Sequence, residues 1–219
     1  GGWLNFHGPR SSAALNLQRR EACGSRMRPF TSIHIAVQRQ HVQCVQCLLI
    51  HGANVNSRYP VDTESCAGST LLQRAVEKGD ISLVRVLVGY GADINAIRYD
   101  GSTALNIAAA RGLFDIANLL IQEGADVNLA PTSLTMTRDE IKKRKDMDCY
   151  EWNDFHPLHI AVIKGCKDMV KLLLKFGADP NAKDRDGNIP LLYATMLSES
   201  EIGKILLING RTKKPFENL

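Results

Sequence analysis

One five-residue string returns along this chain at a fixed phase. Gly-Ala-Asp/Asn-x-Asn stands at Gly52–Asn56, Gly91–Asn95, Gly124–Asn128 and Gly177–Asn181, with a degenerate fifth copy at Asn209-Gly210. A Leu-Leu-type pair precedes each: Leu48-Leu49, Leu87-Val88, Leu120-Ile121, Leu173-Leu174 and Leu206-Leu207. Further upstream lies a second block, opening at Thr31, Thr70, Thr103, His156 and Ile189, and its first residue precedes the Gly by 21 in all five copies. The blocks are 39, 33, 53 and 33 residues apart, so the base period is 33, with insertions of six and twenty residues. A period of this size is the mark of stacked units that share one continuous core.

Each unit reads as two short helices. Thr31, Thr70 and Thr103 stand where a first helix begins, and a Thr hydroxyl can cap its exposed N–H groups. Pro157 and Pro190 fall at the first helical position, where a missing N–H costs little. Ala36, Ala75, Ala108, Ala161 and Ala194 keep that helix slim. Gly79, Gly112 and Gly165 stop it in the left-handed C′ conformation. The second helix of unit four carries an apolar stripe at Met169, Val170, Leu173 and Leu174. Helices of two or three turns are marginal alone, so stability must come from burying each stripe against the next unit.

With its 33-residue period and the block His156-Pro-Leu-His-Ile-Ala161, closest of the five to Thr-Pro-Leu-His-x-Ala, the chain resembles the ankyrin-repeat family. The resemblance covers residues 28–60, 67–99, 100–132, 153–185 and 186–218 and implies an all-α ankyrin-repeat solenoid of about five helix–turn–helix units. Hairpin-like finger loops join the units, and residues 133–152 form one long finger insertion. It also implies that the first helices and the fingertips line a concave face, and that His34 and His159 are structural, bonded to the Thr-type hydroxyl and to nearby backbone. In unit four that partner position holds His156 instead. The end units depart from the pattern: Gln40 and Ser198 stand where Gly is expected, and Gly203 replaces a β-branched core residue. Residues 1–27 match no repeat; Ser12 to Gly24 read either as a capping helix or as disordered chain.

The resemblance implies a non-catalytic module that binds a partner protein. No Ser, Cys or Asp stands at a spacing that makes a catalytic triad with either His. Cys44-Val-Gln-Cys47 has no second pair at zinc-ligand spacing, and Cys44 falls at a core position of the register, so no metal or cofactor is expected. At one register position, eight after each block start, stand Arg39, Lys78, Arg111 and Lys164, with Arg74 adding to the row and Glu77 opposing it. The first two fingers each carry Arg-Tyr: Arg58-Tyr59 and Arg98-Tyr99. In the insertion, Thr137-Arg-Asp-Glu140 is a capping box that predicts a helix from about Arg138 to Met147, followed by Tyr150 and Trp152. Arg and aromatic residues are frequent binding anchors. The expected contacts are therefore Arg58, Tyr59, Arg74, Lys78, Arg98, Tyr99, Arg111, Tyr150, Trp152 and Lys164, on a groove that favours acidic proteins.

The formal charge of +4 on 219 residues calls for neither nucleic acid nor a membrane. No apolar run is long enough to span a bilayer. Six irregularly spaced cysteines in a chain of this size read as reduced thiols, which points to the cytoplasm or nucleus. Lys142-Lys-Arg-Lys145 has the form of a nuclear-localisation run, but Asp139, Glu140, Asp146 and Asp148 dilute it. A monomer is expected. The chain opens on Gly1 rather than Met, as a fragment or processed product would. That keeps alternatives open: a regulatory ankyrin segment of a larger enzyme or channel, or of a ubiquitin-ligase substrate receptor.

Overall fold

A computed structural model of the chain describes residues 31–59, 68–98, 101–129 and 155–212. Ten helices occupy those residues in five pairs: α1 Ser32–Gln38 with α2 Val42–Ile50, α3 Leu71–Lys78 with α4 Ile81–Gly89, α5 Ala104–Ala110 with α6 Phe114–Gln122, α7 Pro157–Ile163 with α8 Lys167–Lys175, and α9 Pro190–Met196 with α10 Ser200–Thr212. Each first helix packs on its own second helix and on the first helices of its neighbours. First helices pack more closely on one another than second helices do.

Local chemistry starts and stops the helices as expected. The Thr70 hydroxyl accepts from the Gln73 N–H at 3.2 Å, and the Gln73 side chain accepts from the Thr70 N–H at 2.9 Å, a reciprocal capping box. Pro157 and Pro190 both occupy the first turn. Gly79 ends α3 at φ 71°, in the left-handed region that a Cβ disfavours. Gln40 and Ser198 adopt the same conformation, at φ 57° and 59°, so the two end units take this turn without glycine and carry its strain.

The recurring Asn is what ties one finger to the next. Asn56 Oδ1 accepts from the Asp93 N–H at 2.8 Å, Asn95 Oδ1 from Asp126 at 2.9 Å, and Asn128 Oδ1 from Asp179 at 2.8 Å. The amide nitrogens of Asn95 and Asn128 donate onward to the carbonyls of Gly124 and Gly177, at 3.2 and 3.0 Å. Within a finger, the side chains of Asn54, Asp93, Asp126 and Asp179 each accept from the N–H two residues on, closing an Asx turn. The Asn128–Asp179 rung joins residues on either side of the long insertion, so units three and four stack like the others. The predicted helix at Arg138–Met147, the Lys142–Lys145 run, and residues 1–27 lie outside the described residues.

The core is one continuous cluster running through all five pairs. Leu83, Ile116, Met169 and Ile202 share a register position and are buried. Their counterpart in unit one, Cys44, was expected in the core and is instead exposed, as is Cys47. The side of unit one on which Cys44 lies has no preceding helix pair among the described residues. Cys44, Cys47 and Cys166 are free thiols.

Candidate partner-binding groove

The position eight residues after each block start is the end of a first helix in every unit. Lys78 is the last residue of α3, while Arg39, Arg111 and Lys164 are the C-cap residues of α1, α5 and α7. All four are exposed. A helix C-terminus carries partial negative charge, so a cation there is favourably placed. Neighbouring helices pack about 8–10 Å apart, and charges at that separation lie within roughly one Debye length at physiological salt. The four therefore make a ridge of exposed cationic residues, in register, at the ends of four successive first helices.

Other expected contacts prove to be internal fastenings. Tyr59 is buried at 4% exposure; its hydroxyl donates to the His34 carbonyl at 2.9 Å and its ring stands edge-on to His34 at 4.6 Å. Arg98 is buried at 6% exposure, with its guanidinium on Glu77 and on the Ser69 hydroxyl. Neither is available as a surface anchor. A finger must bury its own base against two units, and the longest side chains near that base do so. Arg74 is half-buried, held by Gln38 Oε1 at 2.7 Å and Glu77 Oε2 at 2.8 Å. Glu77 thus neutralises part of an Arg74–Arg98 pair and does not face the ridge as an isolated opposing charge. Arg58 remains exposed, yet its Nη1 donates to the carbonyls of Gly68 and Ile97, at 2.8 and 3.0 Å, which clasps the first finger to the second. Tyr99, Tyr150 and Trp152 lie outside the described residues. Ile35 on α1 is 45% exposed, in the same unit as Arg39. Its register position gave no signal of this, since Ile107 and Ile160 at the same position are buried.

The block histidines are structural. His34 Nδ1 lies 2.8 Å from the Thr31 hydroxyl. His159 is fully buried, and its Nε2 lies 3.2 Å from the Asn188 carbonyl of the next finger. Gln73 and Asn106 occupy the same position in units two and three and do the same work, donating to Ala96 and Ser102 carbonyls and to the Phe155 carbonyl. In unit four, where His156 replaces the Thr, His159 Nδ1 and His156 Nδ1 are both buried without a hydrogen-bond partner. Burial pushes His159 down to about 4 and lowers His34 and His156 as well. Nearby, the Tyr193 hydroxyl donates to Asp184 Oδ2 at 2.6 Å. Burial works to raise the Asp184 pKa, but hydrogen bonds from Tyr193, Asn188 and Asp186 together hold it below the usual carboxylate value.

Among the described residues, no group of three or more His, Cys, Asp or Glu side chains is placed to hold a metal ion. No described helix is long and apolar enough to cross a membrane. This is an all-α repeat solenoid. A family model described as "Ankyrin repeats (3 copies)" matches residues 13–98, 33–130 and 136–215. The chain belongs to the ankyrin-repeat family. The first match begins at residue 13, inside the segment in which the sequence reading found no repeat. An ankyrin repeat protein of Acanthamoeba polyphaga mimivirus, L371, is 31% identical over 175 residues, which is 80% of this chain and 20% of that protein. The serine/threonine-protein kinase VIK of Arabidopsis thaliana is 44% identical over 54 residues, 25% of this chain and 12% of the kinase.

Proposed function

We propose that the chain is a non-catalytic adaptor that binds the acidic surface of a partner protein along its concave groove, in the cytoplasm or nucleus. Ankyrin repeats are in general protein–protein interaction modules. The observation that carries the particular reading is the exposure, in register, of Arg39, Lys78, Arg111 and Lys164 at the ends of four successive first helices. A rigid stack loses little conformational freedom on binding, so modest contacts suffice. The cationic ridge steers an acidic partner and fixes its register more than it adds affinity. Arg58 and Arg74 enter as braces that hold the groove's shape.

The test has two stages. Affinity capture with the 219-residue chain, beside a version lacking residues 133–152, identifies the partner and shows whether the insertion takes part. Lys78→Glu combined with Arg111→Glu is then expected to weaken binding about tenfold at low salt, with a shallower salt dependence. Unchanged affinity and unchanged salt dependence would remove the ridge from the interface.

A second reading is favoured by the short match to a kinase: the chain is a regulatory ankyrin segment of a larger enzyme. An immunoblot from cells showing a species far heavier than 24.2 kDa supports it. A band at the chain's own mass rejects it.

A further inference from the structure

The first helices hold very little negative charge. α1, α3, α5, α7 and α9 contain one acidic residue among them, Glu77, and it is turned onto Arg74 and Arg98. At the end of each of the first four stands an exposed cation: Arg39, Lys78, Arg111 and Lys164. Arg39, Lys78 and Arg111 make no ion pair among the described residues. The fifth copy of the position is Leu197, 48% exposed, so the charged row has four members and then turns apolar. Exposure belongs to the position itself. All five copies have it, including the three in units two, three and four, which have a packed unit on each side.

We propose that this row reads an extended peptide with an acidic side chain at every third residue, four in all, one for each of units one to four. The proposal rests on the acidic-partner reading above and narrows it from an acidic surface to a spacing. Each first helix packs on the next, across the long insertion as elsewhere. Helices in contact lie about 8–10 Å apart, so the cations recur at about that step. A polyproline-II strand rises about 3.1 Å per residue with three residues per turn. Its side chains at i, i+3, i+6 and i+9 therefore point one way, about 9 Å apart. A β-strand does not match, because residues three apart face opposite sides. An α-helix rises only about 1.5 Å per residue and needs roughly twice the chain to reach all four cations. A contiguous acidic block crowds its carboxylates near one or two of them. A polyproline-II ligand is also ordered beforehand, so it loses little freedom on binding.

Fluorescence anisotropy with the whole 219-residue chain and dye-labelled synthetic peptides tests this. One peptide carries four Asp residues at three-residue spacing between proline-rich, uncharged spacers. A second has the same composition with the four Asp contiguous. A third spaces four Asp seven residues apart in a helix-forming host. The first is expected to bind about fivefold more tightly than either of the others at low salt. Lys78→Gln with Arg111→Gln removes the two inner cations and should level that preference. Both positions are exposed, so the variant's circular dichroism and melting should match the parent. Equal binding of the first two peptides by the parent overturns the spacing and leaves an acidic-partner groove standing. Tighter binding of the third peptide overturns the extended ligand in favour of a helical one. A preference that survives Lys78→Gln/Arg111→Gln places the peptide elsewhere and overturns the proposal. No binding by any of the three sinks the acidic-partner reading itself, and the spacing with it.

Discussion

At the scale of single residues, most of the polar side chains picked out by pattern are fasteners. His159 shows what a fastener needs. In unit one the Thr31 hydroxyl satisfies His34 Nδ1, whereas His159 Nδ1 is buried with nothing to bond. An orphaned buried polar atom costs roughly 1–3 kcal/mol. His156→Thr should restore the missing hydroxyl and raise stability by about 1 kcal/mol in urea denaturation; an unchanged or lower midpoint argues that His156 makes contacts of its own that matter more. The same burial sets a pH dependence. His159 titrates at about 4 in the fold and near 6.5 when unfolded, so the unfolded chain takes up the proton first as pH falls. Its contribution is complete above pH 6.5 and is lost progressively between 6.5 and 4, by as much as roughly 3 kcal/mol. His34 and His156, lowered by burial as well, act in the same direction. Asp184, held low by Tyr193, Asn188 and Asp186, loses its contribution only below 3.8. Stability measured in urea at pH 7 and pH 5 should differ in that sense, and His159→Gln should flatten the difference.

Elements of seven to nine residues make up all but the last helix, too short to persist without neighbours. Their worth lies in the stripe each buries. Leu173 on α8 is completely buried, and Leu173→Ala should cost about 2–5 kcal/mol. Ile50 on α2, 68% exposed, has little to lose, so Ile50→Ala should change the midpoint by no more than about 0.5 kcal/mol. Equal losses at the two sites would contradict the assignment of inner and outer stripes. Between elements, the Asn rungs supply what apolar packing cannot, a fixed register from finger to finger. Each rung replaces water on a backbone N–H that would otherwise be held only by solvent.

For the whole molecule, stability is close to a sum of unit terms and nearest-neighbour terms, because among the described residues each helix pair packs mainly on the pairs beside it. The end units have one neighbour apiece among the described residues, and both carry a non-glycine residue in the left-handed region. Hydrogen exchange should therefore be slowest in α5 and α7 and fastest in α9 and α10. Protection of α9 equal to that of α5 would mean that its forward face is covered in solution.

Repetition made the architecture readable in advance. The constant 21-residue interval, the Thr and Pro starts and the Leu pairs report local preferences and the period of an apolar stripe, and both are properties of a linear string. What lay beyond its reach was which long polar side chain turns inward. Tyr59 and Arg98 have the composition of surface anchors, yet they are buried because each finger must seal its base against the following unit. Cys44 and Leu192 fit core positions of the repeat and are exposed because no described pair lies against them. Burial belongs to the neighbour as much as to the residue. A sequence therefore determines the unit and its period, and only the assembled stack decides which copies of a position meet protein and which meet water.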